Sequence, residues 1–137
     1  MGQILAEVEL ENTGDRTAFE DGFRAESDIR RTSTDGIVDT GAVTLVLPQN
    51  IAERLGLRTR RTVVVTYADE RKEERPVAGP VTIQIGDRFM STDCIVGPPF
   101  SETLIGQVVL ESLDLLADSQ NQTLLPRMPD YPLLNLK

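Results

Sequence analysis

One stretch constrains this chain more than any other: Ile37-Val38-Asp39-Thr40-Gly41-Ala42, an apolar strand end that runs into an acid and a turn before residues 43–47 become apolar again. An unpaired carboxylate in a core is costly, so such a strand must carry Asp39 to its tip, where donors can hold it. Thr40 brings a hydroxyl, and Gly41 a backbone that turns tightly and offers its amide. Read this way, Asp39, Thr40, Gly41 and Ala42 form a loop presenting one carboxyl group to a cleft. Alone, Asp-Thr-Gly is better read as an ordinary strand-to-turn junction. The context along the rest of the chain reverses that preference.

The surroundings have the pattern of short strands. Ile4, Ala6, Val8 and Leu10 alternate with Glu7, Glu9 and Glu11, the period of a strand with one wet face. Residues 12–27 are polar and contain Gly14 and Gly22, predicting a long loop that Phe19 and Phe23 pin down. Residues 29–34 resume extended character, and Asp35-Gly36 signals a hairpin turn before the Asp39 loop. Pro48, the Ile51/Leu55 face and Gly56 predict a short helix over 48–55. Residues 62–67 and 72–77 flank Ala68-Asp69-Glu70-Arg71, a hairpin with a charged tip. Gly79-Pro80 breaks the chain, and residues 81–85 and 89–96 pair across Gly86-Asp87 until Gly97-Pro98-Pro99 stops them. Leu104-Ile105-Gly106 leads into a second short helix over 107–113, and residues 115–118 and 123–125 make a last hairpin. The expected fold is mainly β, a closed or nearly closed barrel with one or two short helices.

A shift of 58 residues carries Ile51-Ala52-Glu53-Arg54-Leu55 onto Val109-Leu110-Glu111-Ser112-Leu113, and Ile37-Val38-Asp39 onto Ile95-Val96-Gly97. The chain reads as two strand-loop-strand-helix halves, of which only the first carries an acid at its tip. Chance similarity between short apolar stretches is the competing reading.

Composition narrows the chemistry. The 137 residues suffice for one domain with a real core: a strand and loop over 1–35, a core over 36–126 and a tail over 127–137. The net charge of −8 argues against a nucleic-acid partner, because the short clusters Arg30-Arg31 and Arg58-Thr59-Arg60-Arg61 lack interleaved aromatics. There is no histidine, which removes Ser-His-Asp and Cys-His catalysis and the commonest metal ligand; no metal or other cofactor is expected. The single Cys94 reads as a buried thiol in a strand. No apolar run is long enough for a membrane span and no leader is recognisable, so no membrane partner and a cytoplasmic location are expected.

Val38-Asp39-Thr40-Gly41-Ala42, the central hairpin, Ile95-Val96-Gly97-Pro98-Pro99 and Leu104-Ile105-Gly106 with its following helix resemble, in order and spacing, the retropepsin-like aspartic proteases of bacterial and archaeal type. The resemblance covers roughly residues 36–126. It implies a closed barrel in which Asp39 is the catalytic acid of an aspartic endopeptidase. Thr40 would interlock the two acid loops across a dimer, and Gly41 would allow close backbone approach. Leu104, Ile105 and Gly106 would support the acid loop. The hairpin over 62–77 would be the flap that covers substrate, with Tyr67, Ala68, Asp69, Glu70 and Arg71 at its tip. Two departures stand out: the tip is charged where viral members are glycine-rich, and segment 1–35 exceeds their short N-terminal strand.

Pepsin-like chemistry needs two carboxyl groups sharing a proton, and this chain has one Asp-Thr-Gly. A complete site therefore implies a homodimer acting on a peptide or protein substrate, with one Asp39 from each chain. Residues 132–137 are candidates for intersubunit strand pairing or for an ordinary packed tail. The alternative is a catalytically silent dimeric peptide-binding module on the same fold.

Overall fold

The computed structural model describes residues 3–130. The period-two pattern at the start becomes β1 (Leu5–Asn12), with Val8 and Leu10 turned into the core and Glu7 and Glu9 left exposed. In chain order there follow α1 (Thr13–Glu20), β2 (Arg31–Val38), β3 (Leu45–Pro48), α2 (Gln49–Arg54), β4 (Arg58–Thr66) and β5 (Lys72–Ile85). The remainder is β6 (Arg88–Gly97), β7 (Thr103–Ile105), α3 (Gln107–Ser112), β8 (Leu115–Asp118) and β9 (Thr123–Pro126). The main sheet runs β1-β2-β7-β3-β6-β5-β4, and β1 also pairs with β5. That extra pairing, with Leu10 opposite Ile83, closes six strands into a barrel and leaves β4 as an outer flange on β5. The mainly β, closed architecture expected from the turn spacing is the one observed.

One core fills the barrel. Val8, Leu10, Leu45, Leu47, Ile83 and Ile105 meet inside it with Leu55, Val109 and Leu113 from around the two short helices. Each fully buried aliphatic side chain contributes about 1.5–3 kcal/mol relative to exposure. Cys94 lies in the same cluster, and burial pushes its thiol up to about 12, so it packs as a small hydrophobe.

Three expectations are corrected. Residues 12–27 do not form a long loop: Asn12 caps α1, its Oδ1 accepting the Asp15 N–H at 2.9 Å, and a short 3-10 turn, Glu26–Asp28, follows. The stretch Asn12-Thr13-Gly14-Asp15, which opens the expected loop, is a helix start. Phe23 pins nothing, being 83% exposed. Asp35-Gly36 is no hairpin turn either, since β2 runs through it. Gly36 is there for closeness, because a Cβ would stand 2.8 Å from Ile105 Cδ1. Gly79-Pro80 does not end a strand: β5 continues past it, with a bulge between Ala78 and Val81 absorbing the missing ladder donor. The proposed pairing role of residues 132–137 falls outside the described residues.

The 58-residue repeat is present in the hydrogen-bond register. Gly36, Ile37 and Val38 pair in parallel with Thr103, Leu104 and Ile105. Their shifted counterparts Cys94, Ile95 and Val96 pair in parallel with Leu45, Val46 and Leu47. The antiparallel contact Val46–Leu104 joins two residues 58 apart and so lies on the internal two-fold axis. The same shift maps α2 onto α3 residue for residue, and Gly56 (φ 65°) onto Asp114 (φ 57°). Correspondence in pairing partners and backbone angles removes the chance reading.

Candidate active site

Asp39 follows directly from the parallel pairing of β2 with β7. Val38 lies opposite Ile105, and the Asp39 N–H donates to the Ile105 carbonyl at 3.0 Å. The loop then folds on itself: the Ala42 N–H donates to the Asp39 carbonyl at 3.0 Å, and the Gly41 N–H to Asp39 Oδ1 at 2.9 Å. It is also stitched to the start of α3, where the Gln107 and Val108 amides donate to the Ala42 and Val43 carbonyls, each at 2.9 Å. Two otherwise unpaired amides of the helix's first turn are satisfied in this way. Gly106 makes the contact possible. A Cβ there would collide with the Thr44 carbonyl and approach the Ala42 carbonyl to 2.7 Å. The outcome is a half-buried carboxylate whose position is set by backbone groups, with Thr40 and Gly41 exposed beside it.

Above this loop is a cleft of about 690 Å³. Gly41, Ala42, Val46 and Leu104 line it together with Tyr67 and Ala68 of the β4–β5 hairpin. Of the hairpin tip, Asp69, Glu70 and Arg71 make the turn and do not line the cleft. The Tyr67 N–H donates to the Arg71 carbonyl at 2.8 Å, the Arg71 N–H to Asp69 Oδ1 at 3.1 Å, and Glu70 takes a φ of 67°. Arg71 stacks its guanidinium on the Tyr67 ring at 4.5 Å, stiffening the turn from outside. A second cavity, about 520 Å³, is lined by Asp39 and Thr40 together with Ile4, Glu102, Leu104 and Ala117. Asp39 thus lies between two open volumes.

Beside Asp39, the first cleft contains two other ionisable side chains that the motif reading missed, Arg75 and Glu102. Arg75 is committed: its Nε donates to the Val96 carbonyl at 2.8 Å and its Nη1 to Glu73 at 2.9 Å. Glu102 lines both cavities. The signal that finds it is strand alternation, since Thr103 and Ile105 are buried and Glu102 must share the face of Leu104. It is not a second acid for Asp39. The Asp39 amide bonds to Ile105, three residues beyond Glu102, and three strand residues span about 10 Å.

A larger cavity of about 840 Å³ lies between α1 and β1, β2, β5 and β6, but it contains no residue of the Asp39 loop. It is lined by Arg16, Arg31, Thr82 and Gln84 among others, without the convergence of a reactive group and a covering hairpin. Among the described residues, no group of three or more His, Cys, Asp or Glu converges as cation ligands, and no helix is long and apolar enough to cross a membrane.

What the arrangement can do chemically is specific. A carboxylate fixed by a tight loop on the lining of a cleft can exchange protons with a water or a carbonyl lying beside it. Nothing among the curated proteins matches the chain. Residues 25–112, well over half of the sequence and including the acid loop, both cleft walls and the hairpin, match the family described as "gag-polyprotein putative aspartyl protease". By its sequence match, its closed barrel and its loop architecture, the chain belongs to that aspartyl protease family.

Proposed function

We propose that this chain is an aspartic endopeptidase that hydrolyses peptide bonds as a homodimer, with one Asp39 contributed by each protomer. The observation that carries the reading is the setting of Asp39: one backbone-fixed carboxyl group, open on two sides, on an internal two-fold scaffold whose other tip is Gly97. Such a carboxyl group supports a reading as half of a pepsin-like dyad, and a second copy is the simplest source of the other half. In the assembled site one Asp39 takes a proton from water as the other donates to the scissile carbonyl oxygen. On this reading the exposed Thr40 meets its counterpart across the dimer, and Tyr67 and Ala68, which line the cleft, close over the substrate. The free, buried Cys94 suits a reducing cytoplasmic setting.

Digestion of a mixed peptide library tests the proposal. Cleavage by the parent, blocked by a statine-type inhibitor and absent from Asp39→Asn, is the expected result. Tight peptide binding without turnover would instead assign the chain as a silent binding module.

A further inference from the structure

The cleft has a charge imbalance that the acid loop does not account for. Its charged lining residues are Asp39, Arg75 and Glu102, and the Arg75 guanidinium is occupied by Glu73 and the Val96 carbonyl. Among the described residues, no hydrogen bond or ion pair engages the Glu102 carboxylate, which is exposed. Its direction is dictated by the strand it precedes. Thr103 and Ile105 point into the core, and Leu104 and Glu102 face the cavities. The approach to Glu102 is fixed as well: the Phe100 N–H donates to Asn50 Oδ1 at 2.8 Å, and the Ser101 hydroxyl donates to the Pro98 carbonyl at 2.7 Å. An unneutralised carboxylate in a mainly apolar cleft favours a cationic group, since a neutral side chain gains nothing from it and an acidic one is repelled.

We propose that Glu102 selects peptides that place a lysine or arginine side chain in the part of the cleft beside it. The inference rests on the endopeptidase reading for its biological meaning, but it concerns ligand selection and is testable apart from turnover.

The test compares a lysine-containing peptide, drawn from the library cleaved by the parent, with the same peptide carrying norleucine at that position. The expected kcat/KM ratio is about fivefold in favour of lysine, the scale of one solvent-accessible ion pair, and it shrinks as salt is raised. Glu102→Gln brings the ratio close to one, and Glu102→Lys turns the preference toward a glutamate peptide. In parallel, immobilised Asp39→Asn protein retains basic library peptides over neutral ones, and the added Glu102→Gln change abolishes the difference. Cleavage with a lysine-to-norleucine ratio near one, or a ratio unchanged in Glu102→Gln, overturns the assignment while leaving the endopeptidase intact. Absence of cleavage together with Glu102-dependent retention leaves the assignment standing and removes the endopeptidase. Absence of selective retention on the immobilised protein overturns it whatever the parent cleaves.

Discussion

The Asp39 loop and the Gly97 loop occupy equivalent places in two halves related by 58 residues, yet only the first carries an acid. Both follow strands with the same apolar pattern, Ile37-Val38 and Ile95-Val96, and both strands pair in parallel with the counterpart's short strand. The first loop turns sharply after its acid and returns the Gly41 amide to the carboxylate. The second, with Pro98, Pro99 and a Phe100 at φ 62°, builds a wall that positions Ser101 and Glu102. The scaffold therefore fixes where a loop tip stands, and the residue at the tip decides whether that place is reactive. On the proposed reading, a duplicated frame with a single acid is half of a catalytic device.

The largest expected effect comes from making the two tips alike in chemistry. Asp39→Asn should lower peptide cleavage by about 10²–10⁴-fold, the range for loss of a general acid–base group, with circular dichroism unchanged. Because the loop's backbone hydrogen bonds remain, a large change in the fold's melting would contradict the assignment of Asp39 to chemistry.

The ends of the two short helices make a second comparison. After α2 the left-handed position is Gly56, and the Leu55 carbonyl accepts the Asn12 side-chain amide at 2.8 Å. After α3 the same position is Asp114, whose carboxylate is 1% exposed and accepts from Arg127 Nε at 2.5 Å and the Met128 N–H at 2.9 Å. Arg88, itself buried, donates to the Leu113 and Asp114 carbonyls, each at 3.0 Å. One half uses a neutral amide and a glycine where the other uses a buried ionic cluster. Breaking such a cluster by removing one partner is costly, so Asp114→Ala should destabilise by about 3 kcal/mol in urea denaturation. A loss below about 1 kcal/mol would show that the cluster is solvated.

Gly106 and its counterpart Pro48 sharpen the contrast further. Pro48 carries a whole ring, whereas a single Cβ at Gly106 meets the backbone of Thr44 and Ala42. Gly106→Ala should cost about 1–3 kcal/mol, as overpacking does, and should reduce cleavage by more than the stability loss explains. Denaturation and kcat/KM measured on the same preparation check both parts.

The smallest effect is a pH dependence at the start of α1, where Asp15 lies in the first turn. Hydrogen bonding by the Arg30 side chain, reinforced by the Arg30 backbone amide, holds the Asp15 carboxyl below the usual carboxylate range despite its burial. A folded-state value depressed below the unfolded one gives stability that is present above the unfolded value and lost as pH falls through the folded one. The stability difference between parent and Asp15→Asn should be full near neutral pH and should decline below about pH 4. A difference that grows on acidification would reverse the sign and contradict the pairing.

These comparisons also show what a sequence can disclose. The acid loop was legible because Asp-Thr-Gly after an apolar strand is a local backbone solution, and the repeat was legible because both halves need the same apolar positions. Asn12 was misread since the polar residues that end a strand also start a helix, and only the Asp15 amide on its side chain separates the two. Gly36 was misread because glycine serves turns and close approaches alike, and the Ile105 side chain that requires it is far along the chain. Glu102 escaped notice for a third reason. A lone acid before a three-residue strand acquires a direction only once that strand's register is known.

The central claim is that Asp39 is half a site. Cleavage rate per chain should be measured across a dilution series in which sedimentation follows the change from dimer to monomer. The rate per chain should fall in step with the dimer fraction, because a lone protomer holds one carboxyl group of the two required. A rate per chain that stays constant while the dimer dissociates would contradict it.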